Sequence, residues 1–144
     1  RGEITLRSND PREHPKIVAN YLSTEYDRRV LIEGLRLARR ISKAPSFAKY
    51  VESEIEPGPD RIDDEALLEH IRERGSTIFH PTSTCRMGQD DGAVVDERLR
   101  VRGLQGVRVA DCSIMPTVVS GNTNAPAIMI GEKCADMVLM DAKA

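Results

Sequence analysis

The sequence predicts an α+β fold, on three observations. Short stretches near residues 3–8 and 16–22, and four more between residues 77 and 110, read as strands. Three longer stretches carry apolar residues at helical spacing. The two kinds do not alternate in the β-α-β order that builds a parallel sheet.

Taken in order, Glu3-Ile4-Thr5-Leu6-Arg7-Ser8 alternates polar with apolar and reads as a half-buried strand. Ser8-Asn9-Asp10-Pro11 is turn chemistry, and residues 16–22 read as a second strand. Ser23 or Thr24 caps a long helix that runs to about Lys43, before Pro45. Val30, Leu31, Leu35, Ala38 and Ile41 recur at helical spacing along it, predicting one buried stripe. Gly34 within it costs about 1 kcal/mol relative to Ala and marks close packing. Glu56-Pro57-Gly58-Pro59-Asp60 is the clearest connector. Asp63 and Asp64 then open a helix to Arg74, where the macrodipole favours acidic groups. Leu67, Leu68 and Ile71 form its apolar stripe, and Gly75 ends it. Short strands are predicted at residues 77–79, 94–95, 99–101 and 107–110, and a last helix from about Ala125 to Met140.

Composition excludes several classes. A net charge of −2 has no strong sign, so nothing points to nucleic acid or an anionic membrane surface. The arginines at 28, 29, 36, 39 and 40 interleave with Glu25, Asp27 and Glu33, which reads as a solvated helix face. With no Trp and two Phe, a base-stacking platform is excluded as well. No run approaches the roughly 20 apolar residues that span a bilayer. The chain starts at Arg1 without an initiator Met or signal peptide, in what reads as a strand, so an upstream part is expected to be missing. Cys85, Cys112 and Cys134 are odd in number and widely spaced, which argues against a disulfide framework, and no Cys-x-x-Cys pair supports a metal. Reduced thiols fit a cytoplasmic protein.

Two segments carry chemistry. In the first, Ser76-Thr77-Ile78-Phe79-His80-Pro81, an imidazole ends a short strand, and the proline biases His80 towards extended backbone. Histidine accepts or donates a proton near neutral pH; the plainer reading is a strand-end histidine with a structural hydrogen bond. In the second, Val109-Ala110-Asp111-Cys112-Ser113 leads to Gly121-Asn122-Thr123-Asn124-Ala125-Pro126, where a helix begins just after Asn124. Helix N-termini suit anions and electron-rich cofactor edges. On the plainer reading, Asn124 caps the helix and Asn122 makes a turn.

Together the segments are recognisable. His80-Pro81-Thr82-Ser83-Thr84-Cys85-Arg86-Met87-Gly88 closely resembles the His-Pro-x-Gly-Thr-Cys-x-Met-Gly segment of glucose–methanol–choline oxidoreductases. Val107-Arg108-Val109-Ala110-Asp111-Cys112-Ser113-Ile114-Met115-Pro116 resembles the family's strand-and-turn segment. The stretch from Gly121 to Lys133 is similar to its closing segment in choline-dehydrogenase-like and other alcohol dehydrogenase members. The opening, Gly2–Ser8 with Asn20-Tyr21-Leu22, is similar too, so the resemblance covers nearly the whole chain. Ser83 departs from the pattern by standing where Gly is usual; with φ above zero there, serine costs about 1 kcal/mol or more.

The resemblance implies an antiparallel sheet with flanking helices in a substrate-binding domain, its C-terminal part at residues 1–88. Residues 89–144 then return as a strand–loop–helix that completes an FAD-binding α/β domain. His80 matches the family's catalytic histidine, which takes the hydroxyl proton of an alcohol. Asn124 matches the second catalytic position, with Asn122 the weaker candidate, and hydrogen-bonds the substrate oxygen. Asp111, Cys112, Asn122 and Thr123 lie where the family closes over FAD. The implied reaction takes a primary alcohol, choline-like or aliphatic, to an aldehyde with hydride transfer to flavin N5. No Gly-x-Gly-x-x-Gly βαβ unit is present, so the partner is a missing N-terminal FAD-binding portion, and the fragment alone is expected to hold no FAD and to be inactive. The exact alcohol, oxidase against dehydrogenase, and oligomeric state are not set by these residues. Two alternatives stand beside this reading: a non-catalytic binding or structural module of the same family, and a hydrolase using Cys85 or Ser83 with His80.

Overall fold

The computed structural model describes residues 1–143 as two compact units, Arg1–Ser76 and a second beginning at Thr77. The content is α+β with a two-stranded antiparallel sheet, as the sequence predicts.

In the first unit β1 (Glu3–Thr5) pairs with β2 (Lys16–Val18) in the register Glu3↔Val18, Ile4↔Ile17, Thr5↔Lys16. Both strands are shorter than the sequence suggested. Helix α1 (Glu25–Ser42) opens on Thr24, whose hydroxyl accepts from the Asp27 amide, and closes on Lys43. A single turn, α2 (Pro45–Ala48), follows. Helix α3 (Asp64–Arg74) opens on Asp63, whose carboxylate accepts from the Ala66 amide. It ends at Gly75, where a Cβ would stand 2.4 Å from the Ile71 carbonyl oxygen, so no larger residue fits without a shift.

Leu67, Leu68 and Ile32 are buried together, with Leu22, Leu35 and Ile71 packed against them. The stripe expected on α1 is therefore corrected. Val30, Leu31 and Ile41 are about half exposed, and Ile32, outside the expected stripe, is the buried residue. The 11-residue α3 covers only a narrow strip of the 18-residue α1. Nor does Gly34 mark a close approach, since a Cβ there would meet open space.

Arg39 fastens the connector to α1. Its guanidinium donates to Glu54 from Nε at 3.0 Å and from one terminal nitrogen at 2.7 Å, and to the carbonyls of Gly58 and Arg61 at 2.9 and 2.8 Å. Hydrogen bonding from Arg39 holds the Glu54 carboxyl below its ordinary range.

The second unit packs around Val95, Leu99, Ile114, Met115 and Ile130. Its long helix, α4 (Asn124–Asp141), matches the predicted one to within a residue at each end. The four predicted strands do not form as strands. Met87↔Val95, Val95↔Val101 and Arg100↔Arg108 are isolated bridges, because left-handed turns at Gly103 and Gly106 and the bend at 88–93 leave too few residues between corners. Residues 77–79 are irregular, and Phe79 takes φ 60°. Asp141 at the end of α4 pairs with Arg98 at 2.5 Å and with Arg108, tying that end to the bridged loops. Among the described residues no helix is long and apolar enough to cross a membrane.

Two outcomes follow for the first unit. Leu67→Ala should lower unfolding free energy by about 2–5 kcal/mol in a denaturant titration. Because the folded Glu54 carboxyl titrates below its unfolded value, its contribution is present above the ordinary glutamate range and lost as pH falls through the folded value. Glu54→Gln should thus be less stable at neutral pH and show a flatter loss of stability on acidification.

Candidate active site

His80 is set by a chain held at unusual angles. Phe79 before it and Ser83 after it both lie in the left-handed region, at φ 60° and 72°. Such residues persist only where the surroundings over-determine them. At Ser83 a backbone ladder does so: the amides of Ser83, Cys85 and Met87 donate to the carbonyls of Cys112, Ser113 and Ile114 at 3.3, 2.9 and 2.7 Å. The segment after His80 is thereby laid along the turn Cys112–Ile114. Asp111 starts that turn, its carboxylate accepting from the Ser113 amide at 2.7 Å.

The same turn reaches α4. Cys112 Sγ donates to the Thr123 carbonyl at 3.7 Å, and Cys112 and Cys134 pack against the core. All three cysteines are free thiols. Thr123 is 8% exposed, a buried polar residue at the N-cap of α4. Its hydroxyl makes no capping bond. It stands instead 2.9 Å from Nδ1 of His80. A Thr cap contributes about 0.5–2 kcal/mol to a helix, and that contribution is absent here.

The structure therefore brings His80, Thr123 and Cys112 together, with Asp111 at the start of the adjoining turn. Asn124 is the first residue of α4, not its cap, and its side chain is exposed, as is that of Asn122. Both flank Thr123. The link from His80 to Thr123 is what sequence reasoning missed. The signal was a threonine at a helix start, which ordinarily reads as a cap and nothing more.

Other chemistries find less here. The hydroxyl of Ser83 donates to Thr82 at 3.1 Å, not to His80, so a Ser83–His80 hydrolytic pair is not assembled. Among the described residues no group of His, Cys, Asp and Glu is placed to hold a metal ion. A groove of about 490 Å³ lies elsewhere in this unit, lined by Asp96, Arg100, Arg102, Arg108 and Asp141, and it does not include His80. Its charges are largely matched within the chain, Arg100 by Asp96 and Arg108 by Asp141. At the bend, hydrogen bonding from Arg86 holds the exposed Asp90 carboxyl well below the usual carboxylate range.

The chain is similar to known proteins over nearly its whole length. The sequence profile of the GMC oxidoreductase family matches residues 1–131. An alcohol dehydrogenase [acceptor] of Pseudomonas putida is 49% identical over 139 residues, 96% of this chain and 25% of that protein. An oxygen-dependent choline dehydrogenase of the same species is 49% identical over 138 residues, 96% of this chain and 24% of that protein. Among solved structures, a formate oxidase of Aspergillus oryzae studied for FAD modification superposes with a TM-score of 0.87 at 35% identity, covering 99% of this chain and 25% of that one. The chain thus spans about a quarter of the length of the relatives it matches.

Ser83→Gly tests the strain beside His80. Relief of the left-handed serine should raise the thermal midpoint of the chain by an amount corresponding to about 1 kcal/mol relative to Ser83→Ala. Equal midpoints for the two variants would show that φ 72° costs nothing.

Proposed function

The chain belongs to the GMC oxidoreductase family, and from that premise we propose that it carries the proton-transfer group of an FAD-dependent enzyme oxidising a primary alcohol, choline-like or aliphatic, to an aldehyde. The observation that carries the proposal is the 2.9 Å contact between His80 and Thr123, which ties the imidazole to the start of α4, one residue from Asn124.

An alcohol gives up hydride with difficulty while its oxygen is protonated. A base within hydrogen-bond reach of that oxygen, with a second donor on it, lowers the barrier. His80 is the base: Nδ1 is engaged by Thr123, which leaves Nε2 to take the hydroxyl proton. Asn124 supplies the second donor through its exposed carboxamide. Asp111, Cys112, Asn122 and Thr123 form the part of the site that meets FAD. The residues fit that group: α4 has no side-chain cap, so its first amides remain donors for an electron-rich edge, and Gly121 stands in open space. When bound, FAD supplies the acceptor for the hydride leaving the alcohol carbon.

In this proposal residues 1–88 belong to a substrate-binding domain, and residues 89–144 return to complete the FAD-binding domain. An N-terminal FAD-binding portion is the required partner, since this chain contains no Gly-x-Gly-x-x-Gly βαβ unit for the cofactor's ADP. The 144-residue chain alone should accordingly purify without flavin absorbance and without alcohol-dependent dye reduction.

In the FAD-loaded enzyme, His80→Ala should lower kcat/KM for alcohol by about 10²–10⁴-fold with flavin content unchanged. Asn124→Ala should lower it more than Asn122→Ala does. A His80→Ala enzyme within tenfold of wild type would overturn the proposal, and the reverse order of the two asparagines would move the second role to Asn122.

A further inference from the structure

Thr123 has a polar side chain that is almost wholly buried, and its hydroxyl serves neither of the partners nearest in sequence. The carbonyl of Thr123 accepts from Ala127 N at 2.9 Å and from Cys112 Sγ at 3.7 Å. The hydroxyl forgoes the cap of α4 and meets His80 Nδ1 at 2.9 Å. A buried hydroxyl requires a partner, and this one's partner is the ring of the proposed base.

We propose that Thr123 is a positioning residue that holds His80 in the tautomer with its proton on Nδ1, leaving Nε2 bare. This rests on the reading of His80 as the proton acceptor and adds how that nitrogen is made available. A neutral imidazole has one donor and one acceptor nitrogen, and a hydroxyl can meet either, so the tautomer follows from what Nε2 must do, which is accept the alcohol's proton. If the threonine hydroxyl donated to Nδ1, the proton would sit on Nε2 and the ring could not accept another there. With Nδ1–H donating to Oγ1, Nε2 carries the free lone pair. Once Nε2 has taken the alcohol's proton, the imidazolium keeps the same Nδ1–H to Oγ1 bond. One contact therefore serves both protonation states without rotating the ring. The backbone of each partner is fixed independently, the histidine segment by its ladder to residues 112–114 and the threonine by the first turn of α4.

The test reads the ring directly. The chain has three histidines, His14, His70 and His80. Long-range proton–nitrogen correlation spectra of the nitrogen-15-labelled chain, assigned with His80→Gln, report which His80 nitrogen is protonated. The expected result is Nδ1–H in the wild type, a shift towards Nε2–H in Thr123→Val, and the wild-type pattern in Thr123→Ser. In the FAD-loaded enzyme Thr123→Val should lower kcat per bound flavin by about 10–100-fold, with recovery in Thr123→Ser. A wild-type His80 protonated on Nε2 overturns the inference without any variant, as does a Thr123→Val ring that keeps the wild-type pattern. An active His80→Ala enzyme would instead sink the functional reading and leave the tautomer result standing.

Discussion

The bond between His80 Nδ1 and Thr123 Oγ1 joins two segments 43 residues apart, and the candidate site exists only because they meet. The histidine has no regular structure to hold it at the meeting point, since residues 77–86 form no helix or strand, while Thr123 ends the loop 115–123 at the first turn of α4. What holds them is the run of three backbone bonds from Ser83, Cys85 and Met87 to the turn at Cys112–Ile114, with Cys112 then bonded to the Thr123 carbonyl. Backbone bonds at alternate residues fix direction as well as distance. The imidazole is thereby presented from a chain that cannot easily rotate away.

That ladder starts at one of the strained positions, Ser83. Left-handed φ values at Phe79 and Ser83 bracket the histidine, and non-glycine residues adopt them at a cost. The uncapped start of α4 is a further cost at the same place. The rest of the unit is held by the cluster around Val95 and Ile114 and by the pairing of Asp141 with Arg98 and Arg108 at the far end of α4. Left-handed φ is not confined to this place, since Asn20, Leu22 and the buried core residue Leu99 adopt it too.

Much of the scaffold was legible in the sequence. Thr24 and Asp63 announced helix starts because their side chains accept bonds from amides three residues on, and Gly75 announced a stop. The motif around His80 pointed to the family, and the family profile covers the same residues. The expected strands between residues 77 and 110 were not realised, because alternation there reflects turns that bury every second or third side chain without ladder pairing. Burial on α1 was misassigned to Val30, Leu31 and Ile41, since periodicity gives a face but not the width of the neighbour that covers it. The role of the Thr123 hydroxyl was not legible either. Its partner lies far off in sequence, and a threonine before a helix carries the same local signal whether it caps or not.

The central claim is that the imidazole of residue 80 removes the alcohol's proton. The most direct measurement is single-turnover flavin reduction by an alcohol in a His80→Gly enzyme, with free imidazole titrated in. The account predicts slow reduction that imidazole restores in proportion to its unprotonated form. Reduction at the wild-type rate without imidazole would contradict it.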